Sequence, residues 1–178
     1  MTHGILIPNQ IAATNIDSYT RSAVSAVNVD NGNIVVLTTY GVASGNAEVW
    51  TGVTPATTTP GLTGVWMAYD PEIVWTSSYR GLDPDLRNFY TPTGKIYTVF
   101  KPQIDDVFTL STDGIAGSIS SNTFINCTNT GGLQPAWAAS AGSSVFAAKL
   151  IATTYISLGM GSIDSNRVIG YQFRVVAL

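Results

Sequence analysis

The segment SAVSAVNVDNGNIVVLTTYG, residues 22–41, decides the fold. Small and apolar side chains alternate over residues 23–29, and residues 34–37, IVVL, form a β-branched run of the kind found in strands. Residues 30–33 between them read DNGN, and Asn and Gly tolerate the positive φ angles of a tight turn. We therefore predict two strands joined as a β-hairpin.

Further along the chain, residues 96–101 (IYTVFK) and 107–111 (VFTLS) both alternate, with residues 102–106 connecting them. This arrangement predicts a second pair of strands. The closing segment RVIGYQFRVV, residues 167–176, alternates again and predicts a last strand that lies inside its sheet.

The segment SSVFAAKLIATTY, residues 143–155, leaves two alternatives open. The spacing of Val145, Ala148 and Ala152 is nearly helical, and Ala and Leu favour helices. The β-branched and aromatic residues over 151–156 favour a strand. The strand is the preferred alternative.

Several short strands with turns between them, and no regularly alternating helices, predict an all-β fold that is a compact barrel or sandwich with long loops. Residues 21–178 fit a single β domain. Residues 1–20 show no sustained period and contain Pro8, so we predict an extended N-terminal arm. Residues 41–64 predict a long loop in which only 48–53 resembles a strand.

Composition excludes several classes of function. Charged residues make up 11% of the chain, the formal net charge is -3, and the eight Lys and Arg residues are scattered, so no basic surface for nucleic acid is expected. The apolar runs are far shorter than the roughly 20 residues of a membrane span. The first residues lack the basic start and apolar core of a signal peptide, so we expect synthesis in the cytoplasm.

Residues for nucleophilic or metal chemistry are scarce. His3 is the single histidine and lies in the predicted arm, and Cys127 is the single cysteine. A Ser-His-Asp site or a zinc site therefore lacks its usual components, and Cys127 is expected to be a small buried apolar residue. We predict no catalytic residue, no cofactor and no metal ligand.

Carboxylates remain as candidates, because glycoside hydrolysis needs only two of them. The candidates are Glu48, Glu72, Asp70, Asp83, Asp85, Asp105 and Asp106. Most of the Asp residues adjoin prolines or precede a strand, where Asp commonly accepts hydrogen bonds in turns, and this structural role is favoured. A calcium site on residues 83–88, DPDLRN, has oxygen ligands but lacks the terminal Glu of an EF-hand loop.

The four tryptophans are predicted to serve two purposes. Trp66 and Trp75 lie in apolar surroundings and are expected in the core, whereas Trp50 and Trp137 are flanked by loops and suit a core or a contact surface equally well. Together with the long loops, Trp50 and Trp137 give the alternative function of a carbohydrate- or receptor-binding module.

Three segments carry a resemblance to a known family: residues 28–41 (NVDNGNIVVLTTYG), residues 97–115 (YTVFKPQIDDVFTLSTDGI) and residues 167–176 (RVIGYQFRVV). An early NG turn, a D-x-F-T-L type strand that ends in a turn and a final strand resemble the capsid decoration, or cement, proteins of tailed bacteriophages. The resemblance covers about residues 23–178.

The resemblance implies a non-enzymatic structural protein on the exterior of a virion capsid, made in the host cytoplasm. Its partners would be the major capsid protein and further copies of itself in a dimer or trimer, with no nucleic acid or membrane. An extended arm could lie along a neighbour or add a strand to its sheet. The predicted interface residues in the arm and the aromatic loops are Ile5, Ile7, Pro8, Ile11, Trp50 and Trp137.

Overall fold

The computed structural model describes residues 2–41, 48–53, 64–71, 75–76, 79–80, 86–127, 132–158 and 167–178. Its strands, in chain order, are β1 (Leu6–Gln10), β2 (Thr20–Val24), β3 (Ile34–Tyr40), β4 (Val49–Val53), β5 (Val65–Ala68), β6 (Trp75–Thr76), β7 (Tyr79–Arg80), β8 (Ile96–Phe100), β9 (Val107–Ser111), β10 (Phe124–Asn126), β11 (Ala136–Ala138), β12 (Ala147–Ser157) and β13 (Arg167–Ala177). The helices of the described residues are single 3₁₀ turns at Ala12–Thr14, Asp17–Tyr19, Leu86–Asn88 and Thr112–Gly114. The prediction of an all-β fold is confirmed.

The strands form a closed barrel and an open sheet. The barrel has the order β2-β4-β3-β5-β8, with β2 and β4 parallel and the remaining neighbours antiparallel. The open sheet is antiparallel, with the order β1-β9-β13-β12-β10-β11. A two-stranded ribbon of β6 and β7 completes the described strands.

The apolar core has two main parts, one inside the barrel and one between the barrel and the sheet. Along β3, Val35 and Leu37 belong to the barrel interior, whereas Ile34 packs with the sheet residues Phe108 and Phe173. Both faces of β3 are therefore buried over residues 34–37. A strand covered on both sides reads as a continuous apolar run, which is why residues 34–37 are IVVL and do not alternate.

The turn predicted at residues 30–33 is present, but the predicted hairpin is wrong. Gly32 has a φ of 90°, as a tight turn requires, yet β2 pairs with β4 and β8 while β3 pairs with β4 and β5. The turn forms hydrogen bonds with the end of β5 instead. Gly32 N donates to Ala68 O at 2.8 Å. The side-chain amide of Asn31 donates from Nδ2 to Asp70 O at 3.0 Å and accepts at Oδ1 from Asp70 N at 2.8 Å.

Residues 96–101 and 107–111 are strands as predicted, but their mutual pairing is wrong. The first contributes β8 to the barrel and the second contributes β9 to the open sheet, so the link between them is a crossover between the two sheets. Asp106, which is 5% exposed, fixes this crossover by accepting hydrogen bonds from Gln103 N at 2.8 Å and Ala12 N at 2.9 Å.

The end of the chain lies inside its sheet as predicted, because β13 is placed between β9 and β12. Alternate residues of β13 from Tyr171 to Val175 are buried. Residues 147–157 form β12, so the strand alternative for this segment is confirmed over the helix.

The predicted N-terminal arm is extended and packs against its own chain. Strand β1 pairs antiparallel with β9 at one edge of the open sheet. Before it, His3 Nδ1 lies 2.8 Å from Asp30 Oδ1, and the His3 ring stacks on Tyr90 with centroids 4.5 Å apart. That the segment also contacts a partner, and that a boundary separates it from the domain near residue 20, stay predictions.

The barrel interior contains a tyrosine hydroxyl whose ionisation opposes folding. Tyr97 is 2% exposed, its hydroxyl lies 2.6 Å from Ser25 Oγ, and Ser25 in turn donates to Gly52 O at 3.0 Å. Burial raises the pKa of Tyr97 above its usual 10.0, and the Asp70 charge raises it further, against the opposite effect of the Ser25 hydrogen bond. The unfolded chain therefore releases this proton at a lower pH than the folded one, and stability falls as pH rises above about 10.

We expect Tyr97→Phe to cost about 1 kcal/mol at neutral pH, because one buried hydrogen bond is lost. The same variant should show a shallower loss of unfolding free energy between about pH 9 and pH 11 than the unmodified protein. Urea unfolding across this pH range measures both effects. Tyr155→Phe is the control, since Tyr155 is 67% exposed, and an identical alkaline slope in Tyr97→Phe and the unmodified protein would refute the assignment.

Candidate functional site

The six predicted interface residues do not form one surface. Trp50 belongs to the barrel and Trp137 to the open sheet, while the other four lie in or beside β1. Ile5 is 1% exposed and packs with Ile156 and Leu158, so it belongs to a small apolar cluster of its own chain. The remaining residues near β1 are at least partly exposed: Ile7, Pro8 and Ile11.

Trp137 is partly buried and packs against the apolar layer between barrel and sheet. Its ring meets Tyr171 edge-on at 5.0 Å and lies 5.5 Å from Phe173. Trp66 is 5% exposed inside the barrel, as predicted, and the side chain of Trp75 lies outside the described residues. For Trp137, both a core role and a contact role were predicted, and the structure shows it packing against the core.

A cleft opens at one mouth of the barrel, with a volume of about 560 Å³. Strands β2 and β4 are parallel and begin at this mouth, and β3 runs antiparallel to β4 and ends there. Residues far apart in the sequence are consequently brought together as its lining: Thr20, Arg21, Ser22, Tyr40, Glu48, Trp50 and Thr98.

The aromatic part of the cleft is a pair of rings. Tyr40 and Trp50 are paired positions of β3 and β4, and their ring centroids lie 4.9 Å apart at an angle of 51°. Trp50 is half-buried and packs against the barrel interior, whereas Tyr40 is 56% exposed. The buried Nε1 of Trp50 has no hydrogen-bond partner among the described residues, so packing holds this indole in place.

The polar part of the cleft includes one cation and one anion. Arg21 Nη1 donates to Thr20 O at 2.8 Å, and its Cζ lies 5.8 Å from the centroid of the Trp66 ring, which orients the guanidinium by a cation–π contact. Glu48 is exposed and makes no ion pair with the described residues. Sequence reasoning had considered Glu48 only as a hydrolytic carboxylate and had not singled out Arg21 or Tyr40.

The half-buried Asp70 and the buried Asp106 serve the fold. Asp70 accepts hydrogen bonds from Thr98 N at 3.0 Å and Thr91 Oγ1 at 3.3 Å, and Asp106 binds two backbone N–H groups. The Asp106 contact with Gln103 matches the predicted turn role, whereas the Asp70 carboxylate connects its segment to β8 and to Thr91. Asp105 is exposed and lies 3.9 Å from Arg174 Nε.

Several predicted candidates lie outside the described residues. They are Glu72, Asp83 and Asp85. Asp83 and Asp85 are also the two carboxylates of the calcium site considered at residues 83–88, so the structure does not describe that site. In the part of the chain that the structure describes, no three His, Cys, Asp or Glu side chains lie close enough together to hold a metal ion. Cys127 is buried, as expected, with its Sγ 3.4 Å from Ser144 Oγ.

The second surface feature is an open edge of β12. Strand β10 pairs with β12 only over residues 147–149, and Leu150 N then donates to Thr123 O at 2.8 Å. Beyond Leu150, no described strand pairs with this side of β12, and residues 151–155 are all exposed. We call residues 151–157 the open edge. The sequence feature that indicates this open edge is the run at residues 150–158, LIATTYISL, which is long and contains no charge and no proline.

The open edge carries large apolar side chains. Ile151 is 47% exposed and Tyr155 is 67% exposed, and the cross-strand partner of Tyr155 on β13, Ile169, is 42% exposed. The opposite edge of the same sheet differs, because β1 contains Pro8, which has no N–H to donate to an incoming strand. Among the described residues, β1 thus has a proline that limits pairing, whereas residues 151–157 of β12 have no proline and no strand partner on the side of β10.

No family model, no curated protein and no solved structure matches this chain. Among the described residues, no helix has the length and apolar character to cross a membrane.

Asp106→Ala should lower the free energy of unfolding by about 3 kcal/mol, because two backbone N–H groups lose a charged acceptor in a buried position. Asp105→Asn is the matched control one residue away. Asp105 is exposed with a φ of 72°, which Asn tolerates, so this change should stay within about 0.5 kcal/mol. Urea unfolding of both variants measures the difference, and equal stabilities would contradict a structural role for Asp106.

Proposed function

We propose that the protein is a non-enzymatic structural protein of a tailed-bacteriophage virion that binds the outer capsid surface and bridges capsid subunits. The observation that carries the proposal is the open edge of β12, which offers backbone hydrogen-bonding groups to another chain. The resemblance of residues 28–41, 97–115 and 167–176 to capsid decoration proteins supports the identity of that partner.

The open edge suits recognition by strand addition. An extended segment of a capsid subunit can form backbone hydrogen bonds along residues 151–157, and side chains on alternate positions then give specificity. Ile151 and Tyr155 supply apolar area on the edge strand itself, and Ile169 supplies it on the neighbouring strand. Natural sheets usually protect such an edge with a charge, a proline or a β-bulge. Residues 151–157 contain no charge and no proline, and the register irregularity of β12 lies at the start of the edge, between Leu150 and Ala152, so a partner that covers the rest of the edge is the favoured explanation.

The placement of the carboxylates also supports action by contact. The carboxylate oxygens of Asp70 and Asp106 accept hydrogen bonds, which stabilise the local fold and the crossover between the sheets. Two carboxyl groups facing each other across a bond would be needed for the glycosidase alternative. Of the candidates that the structure describes, only Glu48 lines the barrel-mouth cleft.

The double variant Ile151→Lys/Tyr155→Lys should lose capsid binding, because it places charges on the edge where an incoming strand must pair. The assay is co-sedimentation of the purified protein with shells assembled from the major capsid protein encoded in the same genome. Ile96→Lys is the matched control, since Ile96 is 44% exposed but lies on β8 of the barrel. Circular dichroism verifies that all variants are folded.

Retained binding by the double variant would reject the open edge as the capsid contact. The unmodified protein failing to sediment with the shells would reject the proposed function itself, as would a genome that carries no major capsid, portal or head protease genes. Reduced binding by Ile96→Lys to the same extent would show that the effect of the lysines is nonspecific.

A further inference from the structure

The geometry of the barrel mouth points to a second activity: we propose that the cleft binds a neutral oligosaccharide, with a sugar ring stacked on Tyr40, which packs against Trp50. This site lies on the barrel, whereas the proposed capsid contact lies on the open sheet. The inference does not depend on the capsid proposal, and either can fail without the other.

The size and position of the cleft suit a small ligand. Its volume of about 560 Å³ lies within the roughly 300–1,000 Å³ of small-molecule sites, and the mouths of β-barrels are common places for such sites. Tyr40 is 56% exposed at its border, so the cleft is open to solvent. An open cleft accommodates part of a longer chain, as an oligosaccharide requires.

The aromatic pair provides the apolar part of sugar recognition. A pyranose ring has a face of C–H groups, which gains free energy by leaving water against an aromatic ring. Trp50 packs against the barrel interior, and the exposed Tyr40 ring packs against Trp50 at 4.9 Å, so Tyr40 is an exposed ring that is held by its neighbour. Little side-chain entropy is then lost when a ligand binds.

The polar side chains provide the complementary part. A guanidinium has five N–H donors, and Arg21 uses one of them on Thr20 O among the described residues. Glu48 supplies acceptor oxygens, and the cleft is also lined by the polar residues Thr20, Ser22 and Thr98. Planar Arg and Glu groups can each engage two neighbouring hydroxyls of a sugar, which gives the cleft directional contacts.

The charge of the lining selects for a neutral ligand. Arg21 is its one cation and Glu48 its one anion, so the described lining has no net charge. A sulfated or sialylated glycan, or a nucleic acid, binds through several cations that neutralise its charge, and Glu48 would repel it. Neutral hexose and N-acetylhexosamine chains are therefore the favoured class.

The test is isothermal titration of the full chain with short neutral oligosaccharides of glucose, galactose, mannose and N-acetylglucosamine, and with galacturonate and sialic acid oligomers as the acidic arm. We expect at least one neutral oligosaccharide to bind with a Kd of about 1 mM or tighter, and to change the tryptophan fluorescence. No binding to any neutral oligosaccharide, or binding to the acidic oligomers alone, would overturn the proposal.

Two exposed residues locate the binding in the cleft. Tyr40→Ala and Glu48→Gln should each weaken binding about tenfold or more, which corresponds to about 1.4 kcal/mol. They are preferable to Trp50→Ala because Trp50 also packs against the barrel interior, and its loss would affect folding. Tyr155→Ala is the control, an exposed aromatic residue on the other sheet. Unchanged affinity in both cleft variants, or an equal loss in Tyr155→Ala, would place the binding elsewhere.

Discussion

The apolar layer between the barrel and the open sheet is the constraint on which the rest of the structure depends. On the barrel side it contains Ile34, Met67 and Phe100, and on the sheet side Phe108 and Phe173. Because β3 and β5 also face the barrel interior, each must be apolar on both faces. These strands are thus shared by two cores, and neither the barrel nor the sheet can bury its apolar face without the other.

Hydrogen-bonded polar side chains position the connections that this shared core requires. Asn31 binds the backbone of Asp70 where the turn before β3 meets the end of β5, and Asp106 binds the backbone where the chain passes from barrel to sheet. Half-buried and buried turns leave backbone groups away from water, and each needs a partner. Asp106, one of the few charged residues of the chain, therefore serves as a partner for backbone groups.

Local patterns in the sequence determined which residues form strands but not how the strands pair. The turn at Asn31 and Gly32, the strand character of residues 147–157 and the central position of β13 could all be predicted, because each follows from composition over a few residues. The two predicted pairings were wrong for different reasons. Strands β2 and β3 lie in the same barrel but β4 lies between them, whereas between β8 and β9 the chain crosses from the barrel to the open sheet. The unbroken apolar run at residues 34–37 is typical of a strand that is buried on both faces, as these residues are. For the cleft, Trp50 could be singled out by its flanking loops. Arg21 and Tyr40 could not, because they reach Trp50 through the pairing of β4 with β2 and β3, which is not apparent from local sequence patterns.

The two parts of the fold allow different kinds of recognition. A closed barrel has no unpaired strand edge, so its backbone is fully engaged and a ligand can be recognised only by side chains, most readily at a mouth where strand ends converge. An open sheet has edges whose backbone groups can pair with another chain. Here Pro8 limits pairing at β1, while the edge from Ile151 to Ser157 has no such residue. Among the described residues, the proposed strand addition lies on the open sheet and the proposed side-chain recognition lies on the barrel, so the two candidate surfaces can be altered independently.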